Sequence, residues 1–74
     1  MPRISEFYGI VITMNYNDHN PPHFHARYAE HSATVSIHPV ALLAGFLPNR
    51  ALNMVQQWAA AHQAELLSNW ERAR

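Results

Sequence analysis

Residues 18–25 read Asp-His-Asn-Pro-Pro-His-Phe-His, and no other stretch of the chain is so rich in side chains suited to chemistry. On a strand, His23 and His25 project from one face about 6.6–6.8 Å apart, a spacing that chelates a metal ion when both rings lean inward. His38 is expected across the ladder from His23 as a third ligand. Asp18 or His19 in the preceding loop would supply a fourth, or would orient one of the others through a hydrogen bond. A histidine-rich set without thiolates suits Zn²⁺ or another divalent transition metal such as Ni²⁺ or Fe²⁺. Three protein ligands and a water would then form a hydrolytic centre. The competing account treats the same residues as polar groups on a solvated sheet face. Imidazoles sit well on strands and hydrogen-bond neighbours such as Asn15 and Ser36, while Pro21-Pro22 fixes the loop. His-x-His alone is a weak motif, and it is His38 in the same row that adds specificity.

Other reactions find less support. A Ser36–His25–Asp arrangement can be drawn, but no glycine-rich elbow or oxyanion loop accompanies it. Asp18 is the only aspartate and the four glutamates are scattered, so paired carboxylates are absent. Glycine occurs only at positions 9 and 45, which excludes a phosphate-cradling loop. The absence of cysteine removes disulfides, thiolate metal sites and thiol nucleophiles together, and it suits a reducing cytosol.

The elements that must position these residues follow from periodicity. From Gly9 to Tyr16, Ile10, Ile12 and Met14 alternate with Val11, Thr13 and Asn15, the pattern of a half-buried strand. Turn residues 17–22 end it. Residues 23–29 alternate again, with Phe24, Ala26 and Tyr28 opposed to His23, His25 and Arg27, and a third strand spans 33–38. Closing the turn between them on four residues pairs Tyr28 with Ala33, Phe24 with Ile37 and His23 with His38. The first hairpin places Met14 opposite Phe24 and Thr13 opposite His25. Residues 42–47 form either a fourth strand or a crossing loop. From Asn49 the period changes to 3.6, and Ala51, Leu52, Val55, Trp58, Ala59, His62, Leu66, Trp70 and Ala73 fall within an arc of about 120°. One continuous helix over 49–72 is predicted. The class is α+β: one domain over residues 1–74, an antiparallel meander of three or four strands packed on a long C-terminal helix.

Length and charge bear on partners. Roughly 26 helical residues span ~39 Å, against ~24 Å for a seven-residue strand. The end of the stripe, Leu66, Leu67 and Trp70, is therefore expected to overhang the sheet as an interface for a homodimer or a small protein partner, unless Arg3–Tyr8 folds back over it. The open face, with Asn15, Arg27 and Ser36, is a second candidate binding surface. The chain has 74 residues, five arginines, no lysine and five acids, so its formal net charge is zero. That balance disfavours sequence-blind nucleic-acid binding, which needs excess cations to displace phosphate counterions. No apolar run approaches the ~20 residues of a membrane span, and no charged-then-apolar leader pattern opens the chain. A cytoplasmic location is expected.

Phe7-Tyr8-Gly9-Ile10-Val11-Ile12 followed by Asp18-His19-Asn20-Pro21-Pro22-His23-Phe24-His25-Ala26 resembles the bacterial domain-of-unknown-function family 4160, marked by its DHNPPHFHA motif. Leu47-Pro48, Arg50-Ala51-Leu52, Trp58-Ala59, His62, Glu65-Leu66-Leu67 and Asn69-Trp70 extend the resemblance over nearly the whole chain. The chain departs from the family pattern at Pro39–Ala44, which is apolar where many relatives carry acids. The resemblance implies no established activity. It implies small intracellular proteins, often encoded beside another small protein in pairs similar to toxin–antitoxin modules. On this reading the chain is a binding module acting through a protein partner rather than an enzyme. The alternative is a metal-dependent hydrolase or nuclease centred on His23, His25 and His38.

Overall fold

Two-residue turns join three of the four pairs of successive strands. The computed structural model describes residues 3–15 and 21–73. Strands β1 (Arg3–Phe7) and β2 (Ile10–Thr13) are joined by Tyr8-Gly9, both with positive φ (50° and 80°). A left-handed pair of central residues matches the twist of the strands it joins. Strands β3 (His23–Tyr28) and β4 (His31–Ile37) are joined by Ala29-Glu30, with Ala29 at φ 54°. Strand β5 (Val40–Gly45) follows His38-Pro39, whose peptide bond is cis. Three of the four links are thus two residues long and the β2–β3 connection spans residues 14–22; among the described residues the five strands form one antiparallel sheet in the order β1-β2-β3-β4-β5. Helices α1 (Asn49–Ala61) and α2 (Gln63–Ala73) complete the chain.

The core lies between one face of this sheet and the helices. Ile10, Ile12, Met14, Phe24, Ala26, Ala33, Val35 and Ile37 meet Ala51, Val55, Ala59, Leu66 and Trp70 there, all buried. The alternation expected for β2 to β4 is therefore present, and so is the α+β class. Three details differ. The sheet has five strands: 40–45 is a strand, and Arg3–Phe7 is another that the periodicity did not reveal. Two of the five residues of β1, Arg3 and Glu6, are charged and pair with each other, as suits an exposed sheet edge. The second difference is register. The β3–β4 turn closes on two residues, so Tyr28 faces His31, Phe24 faces Val35 and His23 faces Ser36. A shift of two residues leaves every side chain on its own face, so alternation could not distinguish the two pairings.

The third difference is a break in the helix at His62. A straight helix over the 25 residues from Asn49 to Ala73 would be ~37 Å long, whereas the longest dimension of the molecule is 29 Å. The carbonyl of Trp58 accepts from the His62 backbone N–H (3.0 Å) and from its Nδ1 (2.8 Å), and the two rings stack at 5.1 Å. A side chain intruding on the i to i−4 ladder is a recognised cause of kinks. His62 has φ −116°, outside helical values, and the ladder resumes with Leu66 N–H to His62 O at 2.9 Å. The apolar stripe thus keeps its phase while its direction changes. Gln63 ties the start of α2 to the sheet, donating to Ile37 O at 2.7 Å.

Two glycines test this geometry. At Gly45 (φ 84°) an added Cβ would lie 2.3 Å from the backbone oxygen of Ser32, where Phe46 N–H also bonds. At Gly9 (φ 80°) it would meet only the Tyr28 ring, at 3.6 Å. Gly9→Ala should cost about 1 kcal/mol of left-handed strain. Gly45→Ala should cost at least ~2 kcal/mol, because a backbone clash adds to that strain. Urea unfolding of the two variants gives the comparison, and equal losses would contradict the close approach at Gly45.

Candidate functional site

The open face of the sheet carries the polar side chains in rows set by the register. Thr13 faces His25, which faces Thr34; Val11 faces Arg27, which faces Ser32. His23 and Ser36 share the row towards the β2–β3 connection. Asn15 Nδ2 donates towards His25 Nε2 at 3.3 Å, and the Nδ1 side of the same ring meets Thr34 Oγ1 at 3.4 Å. The His23 and His25 rings stand edge to face with centroids 5.2 Å apart. His23 Nδ1 bonds to Pro21 O at 2.8 Å, and its ring packs against Trp70 at 5.1 Å.

The shifted register separates His38 from this pair. Beyond the end of β4, His38 is exposed, and its Nδ1 receives the Gln63 side-chain amide at 3.2 Å. Among the described residues no three histidine or acidic side chains come together as a metal site. The expected trio of His23, His25 and His38 is thus not assembled, because a two-residue turn carries His38 two rungs past His23. Asp18 and His19, the candidate loop donors, lie outside the described residues.

The other candidates divide. Arg27 is exposed on the open face and Asn15 is half-buried beside His25. Ser36 is only 5% exposed, and its hydroxyl bonds to the carbonyls of Pro39 and Ala41. It secures the β4–β5 turn and is not a docking residue. Leu66 and Trp70, expected to overhang, are 1% and 2% exposed, and Leu67 packs partly buried against the core. The bend at His62 folds the far end of the stripe over the sheet, so these residues form core and not interface. The indole N–H of Trp70, buried beside His23, has no acceptor among the described residues.

Exposed apolar surface lies elsewhere. Leu42, Leu43 and Phe46 are 40%, 48% and 60% exposed, along and just after β5. Leu42 lies opposite Val35 on the helix side of the sheet, and Leu43 is the extra residue of a bulge, since Val35 pairs with Leu42 and Thr34 with Ala44. The Phe46 ring packs on His31 at 5.3 Å. The signal for this surface was in the sequence: no charged side chain occurs from Pro39 to Asn49. A groove of about 430 Å³ opens on the polar face, lined by Val11, Thr13, His25, Ala26, Arg27 and Ser32. Val11 and Ser32 were not singled out from the sequence, since nothing but pairing places them beside Arg27.

Fold and site together define a small α+β protein with one sheet face covered by a bent helix pair and the other open and polar. Within that class, residues 9–71 match the family described as Domain of unknown function (DUF4160), and the chain belongs to it. No curated protein and no solved structure matches the chain. Among the described residues no helix is long and apolar enough to cross a membrane.

Burial of Trp70 yields a clear expectation. Removing a buried tryptophan side chain costs ~3–5 kcal/mol, while a chain of this size holds roughly 4–11 kcal/mol in all. Trp70→Ala should therefore lower the melting temperature sharply or unfold the isolated chain. A variant with unchanged thermal unfolding would mean that Trp70 does not belong to the core.

Proposed function

We propose that the protein is a small binding module acting through a protein partner, as one component of a two-gene pair similar to toxin–antitoxin modules, and that the partner docks along β5. One observation carries this reading: an edge strand with no charge that displays Leu42, Leu43 and Phe46. Edge strands offer a row of unpaired backbone donors and acceptors, and proteins usually blunt them with charges. The opposite edge, β1, has that protection in Arg3 and Glu6. A neutral, apolar edge fits an extended apolar segment of another protein, which adds a strand through backbone hydrogen bonds and buries the leucines and the phenylalanine. It does not fit nucleic acid, whose phosphates need cations.

Co-expression of the chain with the protein encoded beside it tests the reading. A stoichiometric complex is expected, and Leu43→Lys or Phe46→Lys should abolish it while leaving the melting temperature of the chain within a few degrees. Light scattering on the chain alone runs in parallel. A dimer dissolved by Leu43→Lys would identify the partner strand as that of a second copy. Association that neither substitution weakens, or none in either experiment, would refute docking on β5.

A second reading, a metal-dependent hydrolase or nuclease, draws on the Nδ1 bond from His23 to the Pro21 carbonyl. Such a backbone contact orients an imidazole for metal binding through Nε2. Zn²⁺ added to tag-free protein should then raise the melting temperature, and His23→Ala and His25→Ala should each remove the effect while His38→Ala retains it. No thermal response to Zn²⁺, Ni²⁺ or Fe²⁺ would end this reading.

A further inference from the structure

We propose that the groove on the open sheet face binds a small molecule through one oxyanionic group, with Arg27 as its anchor. The site is distinct from the β5 edge and does not depend on docking there. Its occupant follows from charge and donor placement. The groove, about 430 Å³, is within the size range of small-molecule sites. Its polar side chains are the hydroxyls of Thr13 and Ser32, the imidazole of His25 and the guanidinium of Arg27, and among the described residues no carboxylate lines it.

Arg27 and Arg50 are the two arginines with no ion pair or hydrogen bond among the described residues, and of the two only Arg27 lines the groove. Arg3 is paired with Glu6, and Arg72 bonds to Asn69. Among the described residues no carboxylate pairs with Arg27, although Glu6 lies in its row, one strand beyond Val11. Glu30, in the nearby turn, sits 3.6 Å from His31. Arg27 therefore presents a planar fork of N–H donors to the groove face with its charge unmatched, the geometry that receives a carboxylate or phosphate in two parallel hydrogen bonds.

The neighbours refine the recognition. Ser32 faces Arg27 across the β3–β4 ladder, so its hydroxyl adds a donor beside the fork. Along β3, His25 lies two residues from Arg27 on the same face, about 6.6–6.8 Å away. The His25 ring is held by Asn15 on one side and Thr34 on the other. A ring fixed in this way forms a wall that does not rearrange when a ligand enters, which reduces the ordering cost of binding. Val11, opposite Arg27, gives an apolar surface for the uncharged part of the ligand. A single cation matches a single anionic group, so a polyanion tracked by many contacts is not the fit.

The test is a heteronuclear NMR titration of the intact chain with inorganic phosphate, and separately with acetate, at ionic strength held constant with sodium chloride. Saturable shifts centred on the amides of Val11, His25, Arg27 and Ser32 are expected with at least one probe, and the better probe distinguishes phosphate from carboxylate ligands. Arg27→Gln should weaken binding about tenfold or more, and Arg27→Lys should weaken it less, because the charge remains while the fork is lost. Arg50→Gln, an exposed cation on α1, should leave binding unchanged, as should Leu43→Lys on the β5 edge. Arg27 is exposed, so its variants are expected to fold, and their spectra verify this directly. No saturable shift with either probe would overturn the proposal. So would equal weakening by Arg27→Gln and Arg50→Gln, which would reduce the effect to net charge.

Discussion

The Trp58 carbonyl accepts two hydrogen bonds from His62, one from the backbone and one from the imidazole, and the shape of the molecule turns on that oxygen. The helical region carries more apolar stripe than a short-stranded sheet can cover in a straight line. Bending at His62 resolves the mismatch without losing phase: Ala51, Val55 and Ala59 before the bend and Leu66 and Trp70 after it all reach the core. The aromatic stack of Trp58 on His62 adds packing to the bend, and Trp58 also meets Phe7 and Phe24. The same bend brings Trp70 against His23, so the His23 ring rests on a core residue.

Because the helices cover only one face, both proposed binding surfaces fall where cover is lacking. The two edges of the sheet differ in kind. Strand β1 carries an ion pair and a bulge, whereas β5 carries a bulge and no charge at all. A bulge twists an edge and disturbs its pairing, but it does not exclude an apolar partner as a charge does. The open face is polar, and among the described residues no carboxylate pairs with its guanidinium, that of Arg27, which is the basis for the anion site proposed there. The groove and the apolar edge share no lining side chain, although they adjoin where the Phe46 N–H donates to the Ser32 carbonyl.

Much of the fold was legible in the residues themselves. Ile10, Ile12, Phe24, Ala26, Val35 and Ile37 announce a two-sided sheet through alternation, and the stripe from Ala51 to Trp70 announces the helical layer. The histidine segment was also visible as a constellation. Its partners were not. His38 shares polarity and alternation with a plausible third ligand, yet the difference between a four-residue and a two-residue turn places it two rungs away. Ser36 reads as an open-face hydroxyl, yet the turn through Pro39 buries it against two carbonyl oxygens. Alternation does not mark strand β1, because Arg3 and Glu6 obscure it in a five-residue segment.

The sequence by itself determined the α+β class, the family, the inward and outward faces of the strands, and the absence of charge along β5, because these depend on side-chain type and period alone. The tertiary structure decided which residues meet: the register that separates His38 from His23, the bend that turns Trp70 from a candidate interface into core, and the pairing of Val11 and Ser32 with Arg27. The physical reason is the same in each case. Periodicity encodes which face a residue occupies, but a slip of two along a strand preserves that face. The direction of a helix after a kink likewise depends on one hydrogen-bonded carbonyl that no period records.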